Sequence, residues 1–240
     1  MQSNFKLALQ ILLMSTFFTV SQAALCPTNV AESSFYNTPH WKDYCKTSWS
    51  KCSKKTKDAF YKVINDRGSG IMPNRQVRYY NGKSIAQGKC DTTFGAAGKC
   101  MIPYISVAAD PKYYRMGDII DMPSLKGRVI MLPNGQRMIH PGYFIVADKG
   151  FDIKGPNRFD FYTGTATPWD RDNIFGYHGG FKMGQKSDCS DRKTFAVIPR
   201  KTPQADTALA SIENSLYEAR STRNIASIGF TQSTPRKGTQ

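Results

Sequence analysis

Histidine is scarce, with 3 in 240 residues, and none of the six cysteines stands in a Cys-x-x-Cys pair. That poverty argues against a zinc site, and no metal or organic cofactor is expected. Acidic residues are also few: 18 Asp+Glu face 33 Lys+Arg, a net charge of +15. Such an excess excludes an acidic disordered tail and points to an anionic partner. Charge alone fits nucleic acid, acidic lipid or an acidic wall polymer. A nuclease lacks support from any metal-binding or histidine-based motif, so no nucleic-acid partner is expected. No internal run is apolar enough to span a bilayer, which excludes a membrane channel, and no repeat is present. The 40% hydrophobic and 12% aromatic content argues against disorder. At this length one or two domains can each bury a core.

The chain opens with an export signal. Lys6 supplies the positive start, Leu7 to Val20 the apolar stretch, and Ser21-Gln22-Ala23 the small residues of a cleavage site. Residues 1–23 are therefore read as a signal peptide, and the protein as exported, periplasmic or secreted, without a stable membrane anchor. Cys26 invites a lipoprotein reading, but Leu25 stands where the lipid-attachment motif wants a small residue. Cleavage removes only Lys6 among the charged residues, leaving 32 Lys+Arg against 18 Asp+Glu, or +14. All six cysteines stay in the exported part, where an even count favours disulfides. Cys90 with Cys100 and Cys45 with Cys52 are local candidates, and Cys26 and Cys189 are the remaining two. A monomer is expected.

Three further parts follow. Residues 24–75 are aromatic and basic, with one or two short helices ending at the Gly68-Ser69-Gly70 breaker. Residues 76–200 change to short strands and tight turns. QVRYY-NG-KSIAQ and RVIML-PNG-QRMI read as hairpins, and YISVAA, DIIDM, YFIVAD, RFDFY and TFAVI as strands. This grammar predicts a mainly β domain, barrel or sandwich, rather than alternating βαβ units. In 201–240, Thr202-Pro203 opens a helix with Leu209, Ile212 and Leu216 on one face, followed by a polar tail.

The chemistry-bearing stretch is YFIVADKGFDIKGPNRFDFYTG, residues 143–164. One strand ends at Asp148, and another carries Asp160. Period-two alternation puts Phe159 and Phe161 on one face and Arg158, Asp160 and Tyr162 on the other. Gly150 and Gly155 permit close backbone approach, so the two aspartates are expected to converge on one cleft. Two carboxylates facing a groove are what glycosidic cleavage needs: an acid for the leaving oxygen and, in some enzymes, a base. An ion pair with Arg158 would oppose that role by stabilising the Asp160 carboxylate. Tyr162, Trp169, Tyr177, Arg158, Asp170 and His178 are candidates for substrate contact, through stacking or hydrogen bonds. Asp172 is a weaker neighbour, and His140 ranks below His178.

These residues resemble the signature of the three-aspartate (3D) domain and of the membrane-bound lytic transglycosylase A family. The shared anchors are Ala108-Ala109-Asp110-Pro111, Met116-Gly117-Asp118, and then Asp148, Gly150, Ile153, Gly155 and Asp160. Phe151-Asp152 stands where Gly-Ala is usual, and one extra residue, Pro156, precedes Asp160. The resemblance implies a six-stranded double-psi β-barrel, flanked here by the short helical, cysteine-containing N-terminal segment and the C-terminal helix. It also implies cleavage of peptidoglycan glycan strands, with Asp160 as the catalytic acid and Asp148 as a supporting carboxylate. Asp110, Gly150 and Gly155 would be structural. The rivals are an inverting glycoside hydrolase using Asp160 and Asp148, and a non-catalytic, expansin-like wall-binding barrel.

Overall fold

The computed structural model describes residues 29–73, 77–80, 85–87, 90, 92–96, 98–181 and 193–227. The expected export signal, Cys26, Cys189, the turn of the first hairpin and the expected C-terminal tail lie outside them. The architecture is mainly β, with a long C-terminal helix.

Near the start, β1 (Glu32–Tyr36) precedes a short helix, α1 (Trp41–Tyr44), and then α2 (Lys54–Arg67). The helix α2 begins where the Ser53 hydroxyl accepts the Thr56 N–H, and it ends at Gly68, whose φ of 84° is the left-handed turn a glycine tolerates. Phe60 and Ile64 of α2 are buried with Met72, and Trp41, Tyr44, Trp49 and Tyr61 pack around them. The Cys45–Cys52 disulfide ties α1 to the start of α2 beside this aromatic cluster. The sequence reading missed β1 and also β2 (Ser69–Ile71), which begins inside the expected breaker. Gly70 explains why: a Cβ there would lie 2.6 Å from the Ile64 side chain, so the glycine lets the strand pass under α2.

A three-stranded sheet runs β2-β3-β4, with β3 (Val77–Tyr80) and β4 (Ile85–Gln87) as the expected antiparallel pair. The other expected hairpin is β7 (Val129–Met131) with β8 (Arg137–Ile139). The main sheet has six strands, drawn from β1, β5 (Ser106–Ala109), β6 (Ile119–Asp121), β9 (Tyr143–Asp148), β10 (Arg158–Tyr162) and β11 (Ala196–Ile198). Their order is β1-β10-β5-β9-β6-β11. Pairing is parallel for β1 with β10 and for β5 with β9, and antiparallel for the rest.

The two edge strands of this sheet approach each other at one end. Val30, just before β1, bridges Thr194, just before β11. Ala31 N–H donates to the Lys193 carbonyl at 2.9 Å, and Phe195 N–H to the Asn29 carbonyl at 2.8 Å. The core lies against one face of this sheet, where Val107, Ile120, Phe144, Val146, Phe159 and Phe161 are buried together with Phe175. Phe144 meets Phe161 edge to face at 4.7 Å between ring centroids. Finally α3 (Pro203–Ser227) begins where the Thr202 hydroxyl accepts the Ala205 N–H. It buries Ala205 and Ala208 against Ile119, and Ile212 and Ala219 in the main core. Among the described residues, no helix is long and apolar enough to cross a membrane.

Candidate active site

Four neighbouring strands of the main sheet present one row of side chains. Ser34 on β1 is in register with Asp160 on β10, Asp160 with Ala108 on β5, and Ala108 with Asp148 on β9. Residues in register point to the same face, so the two carboxylates stand on either side of an alanine methyl. Strand spacing puts their backbones about 9.5 Å apart. In that row Ala108 stands between them, and its small side chain leaves a cleft. A pocket of about 510 Å³ opens there, lined by Tyr36, Arg67, Ala108, Asp148, Lys149 and Asp160 among others.

Simple alternation would not have brought the aspartates together. Phe144 and Val146 of β9 point into the core, and two residues on, Asp148 would follow them. Instead Val107 pairs with Val146 while Ala108 pairs with Asp148, so β9 bulges by one residue at Ala147. The bulge turns Asp148 out of the core and onto the face of Asp160. The loop closed by the Cys90–Cys100 disulfide holds this bulge. Gly95 packs so closely on the Ala147 carbonyl that a Cβ there would collide with the oxygen. The next residue, Ala96, donates its N–H to Asp148 Oδ1 at 2.9 Å.

The expected glycines do other work. Gly155 has φ +100°, and its N–H donates to Asp110 Oδ2 at 2.9 Å, while Lys112 N–H donates to Asp110 Oδ1 at 3.0 Å. Asp110 thereby ties the end of β5 to the loop joining β9 and β10. These bonds to backbone N–H groups hold its carboxyl below the ordinary value, the mark of a fixed carboxylate. Gly150 leaves room for Ile153, whose side chain would lie 2.5 Å from an added Cβ. The extra residue, Pro156, is held through its carbonyl by the Tyr114 hydroxyl.

Electrostatically the two acids differ. Burial raises the carboxyl of Asp148 above its ordinary value, opposed by hydrogen bonds from the Lys149 and Ala96 backbone and from the Tyr36 hydroxyl at 3.1 Å. Burial also raises Asp160, opposed by the Ser34 hydroxyl and the Arg158 charge, and the nearby Asp148 charge raises it further. Ser34 donates to Asp160 Oδ1 at 2.7 Å, and Arg158 Nη2 donates to the Ser34 oxygen at 2.8 Å. Arg158 therefore reaches Asp160 through a serine. Its other nitrogen bonds the carbonyls of Glu32 and Phe159. Among the described residues Asp160 has one donor where Asp148 has several, so Asp160 is the better proton holder and Asp148 the better anion.

The other candidates separate sharply. Tyr162 is fully buried, its hydroxyl 2.7 Å from that of Thr38, and burial pushes its phenol up to about 12. It supports the pocket from behind, its ring tilted against that of Tyr36, and being buried it offers no face for a sugar. Arg158 is likewise buried. His140 is buried in the core, between the Tyr104 carbonyl and the Gly142 N–H, its basicity lowered to about 4 by burial. Trp169, Tyr177, Asp170 and His178 all lie on an exposed loop after β10, outside the lining of the Asp148–Asp160 pocket. Asp170 accepts the Thr167 N–H at 2.7 Å and lines a second pocket of about 310 Å³ with Tyr104, Asp172 and Asn173. Among the described residues, no group of three or more His, Cys, Asp or Glu side chains gathers to hold a metal.

Ser34, Tyr36, Arg67 and Ala96 escaped the sequence reading, and Ala108 entered it only as part of a motif. Arg67, at the end of α2, enters the pocket wall and donates to Asn37 Oδ1 at 3.0 Å. Only the Ala108-Ala109-Asp110-Pro111 anchor carried a signal for any of them.

Comparison with known proteins bears on one part of the chain. No curated protein sequence matches. Among solved structures, MltA from E. coli is similar at 14% identity over 55% of this chain and 64% of that one, with a TM-score of 0.32. The membrane-bound lytic murein transglycosylase of Agrobacterium tumefaciens gives 16%, 66% and 39%, with a TM-score of 0.26. MltA from Neisseria gonorrhoeae gives 13%, 67% and 36%, with a TM-score of 0.24. The chain thus spans less than two thirds of the length of each. A family model described as the 3D domain matches residues 105–177. The segment that contributes Ala108, Asp110, Asp148 and Asp160 is thus similar to the 3D domain.

Proposed function

We propose that this protein is an exported enzyme that cleaves the glycan strands of peptidoglycan by lytic transglycosylation. The observation that carries the reading is the row Asp160–Ala108–Asp148: two half-buried carboxylates across a narrow cleft, one placed to hold a proton and the other a charge. Asp160, protonated, donates to the glycosidic oxygen between N-acetylmuramic acid and N-acetylglucosamine. The resulting carboxylate takes the proton of the muramic C6 hydroxyl, whose oxygen attacks C1 and closes a 1,6-anhydro ring. No water is consumed, and one residue serves as acid and then base. The Asp148 carboxylate, across the cleft, stabilises the positive charge that develops at C1 and keeps the proton on Asp160 before reaction. The substrate's peptide carboxylates suit an exported chain of 32 Lys+Arg against 18 Asp+Glu, or +14.

On this reading the six-stranded sheet, whose edges meet at Val30 and Thr194, is a double-psi β-barrel. Residues 1–23 are the export signal, 24–75 a helical basic segment, 76–200 the catalytic domain, and 201–240 the terminal helix and tail. One other reading uses the same pair: in an inverting hydrolase the two carboxyl groups lie roughly 6.5–9.5 Å apart and admit a water between acid and base. The purified protein acting on intact sacculi, with mass spectrometry of released fragments, tests both. Anhydro ends are expected, and reducing ends would establish hydrolysis instead. Wall loosening that survives Asp160→Asn would establish a non-catalytic module.

A further inference from the structure

The loop after β10 is built to hold two aromatic rings in solvent. Trp169 is 69% and Tyr177 61% exposed, and their ring centroids are 4.5 Å apart. Exposed rings on a mobile loop would signify little, but this loop is fixed at many points. Asn173 is buried: its amide donates to the Thr167 carbonyl at 3.0 Å, and its Oδ1 accepts the Phe175 N–H at 3.1 Å and the Tyr104 hydroxyl at 3.2 Å. Phe175 and Phe181 anchor the segment in the core. Tyr177 N–H donates to the Pro168 carbonyl at 2.9 Å, which binds the chain beside one ring to the chain beside the other. That approach requires Gly176, since a Cβ there would lie 2.6 Å from the Pro168 oxygen.

The loop also borders the pocket. Pro168, next to Trp169 and bonded to Tyr177, lines the Asp148–Asp160 cleft. We propose that Trp169 and Tyr177 form a rigid stacking platform for a sugar ring of the glycan chain, one lying outside the cleft, so that the enzyme favours long chains over short ones. The proposal rests on the glycan reading above. A pyranose presents an apolar C–H face, and a pre-fixed aromatic pair binds it with little loss of side-chain freedom. Chain length is selected because a short saccharide fills the cleft without reaching the platform.

Calorimetric titration of the Asp160→Asn protein with the disaccharide and hexasaccharide of N-acetylglucosamine tests this. Adding Trp169→Ala or Tyr177→Ala should weaken hexasaccharide binding by about three- to tenfold. Disaccharide binding should stay unchanged, and Trp169→Phe should retain most of the affinity. Equal hexasaccharide affinity with and without Trp169 would overturn the platform and leave the glycan reading intact. Equal losses for both saccharides would overturn it as well. If the Asp160→Asn protein binds neither saccharide and the wild type releases nothing from sacculi, the glycan reading itself falls.

Discussion

Two pockets of this protein each hold a pair of aspartates, and only one pair is arranged for chemistry. Asp170 and Asp172 sit on one exposed loop, and the Asp170 carboxylate is occupied in fixing a turn at Thr167. Asp148 and Asp160 come from two strands separated by a third, are partly shielded from water, and face one cleft. Closeness in sequence thus produced a turn, while distance in sequence produced the acid pair. Burial raises both carboxyls of that pair and sets their protonation apart from that of a surface carboxylate.

The sharpest break of the comparison is Asp160→Asn, which should reduce release of glycan fragments from sacculi by about 10³-fold or more. Asp172→Asn should leave the same release within about twofold. Next comes Asp148→Asn, with an expected loss of about 10²-fold. Removing that negative charge also lowers the Asp160 carboxyl, so the alkaline limb of the activity profile should move to lower pH. Gly95→Ala tests the bulge: the new methyl meets the Ala147 carbonyl, shifts the loop, and withdraws the Ala96 donor from Asp148. A loss of about tenfold in rate is expected, with a stability cost of about 1–3 kcal/mol read from urea unfolding.

Ser34→Ala is subtler. The hydroxyl favours the Asp160 carboxylate, so its removal raises that carboxyl further and should move the alkaline limb to higher pH. Unchanged limbs in both the Asp148 and Ser34 variants would show that Asp160 is not the titrating acid. The smallest effect is thermal. Because the folded protein raises Asp160 above its unfolded value, the charged form opposes folding at neutral pH, and that opposition disappears as pH falls below the unfolded value near 4. Asp160→Asn should therefore raise Tm at pH 7 while leaving it nearly unchanged at pH 3.5.

Much of this architecture is legible without coordinates. Asn-Gly and Pro-Asn-Gly turns, alternating apolar residues and Thr202-Pro203 mark the hairpins, the core strands and α3, because turn chemistry and side-chain periodicity are local. The local cysteine pairs, seven and ten residues apart, are likewise bonded. β1 was hidden by its company: Glu-Ser-Ser-Phe-Tyr sits in a basic aromatic stretch whose neighbours are helical, and it becomes a strand by pairing with β10 across more than a hundred residues.

The sequence by itself determined that Asp160 leaves the core, since Phe159 and Phe161 on either side must enter it. It also determined the segment that carries the 3D signature. Only the tertiary structure decided that Asp148 shares the face of Asp160, because one bulged residue reverses the alternation of β9. The interposed serine between Arg158 and Asp160, and the alanine floor of the cleft, were likewise decided by which strands became neighbours. Register between distant strands depends on the packing of the whole sheet, and no local pattern encodes it.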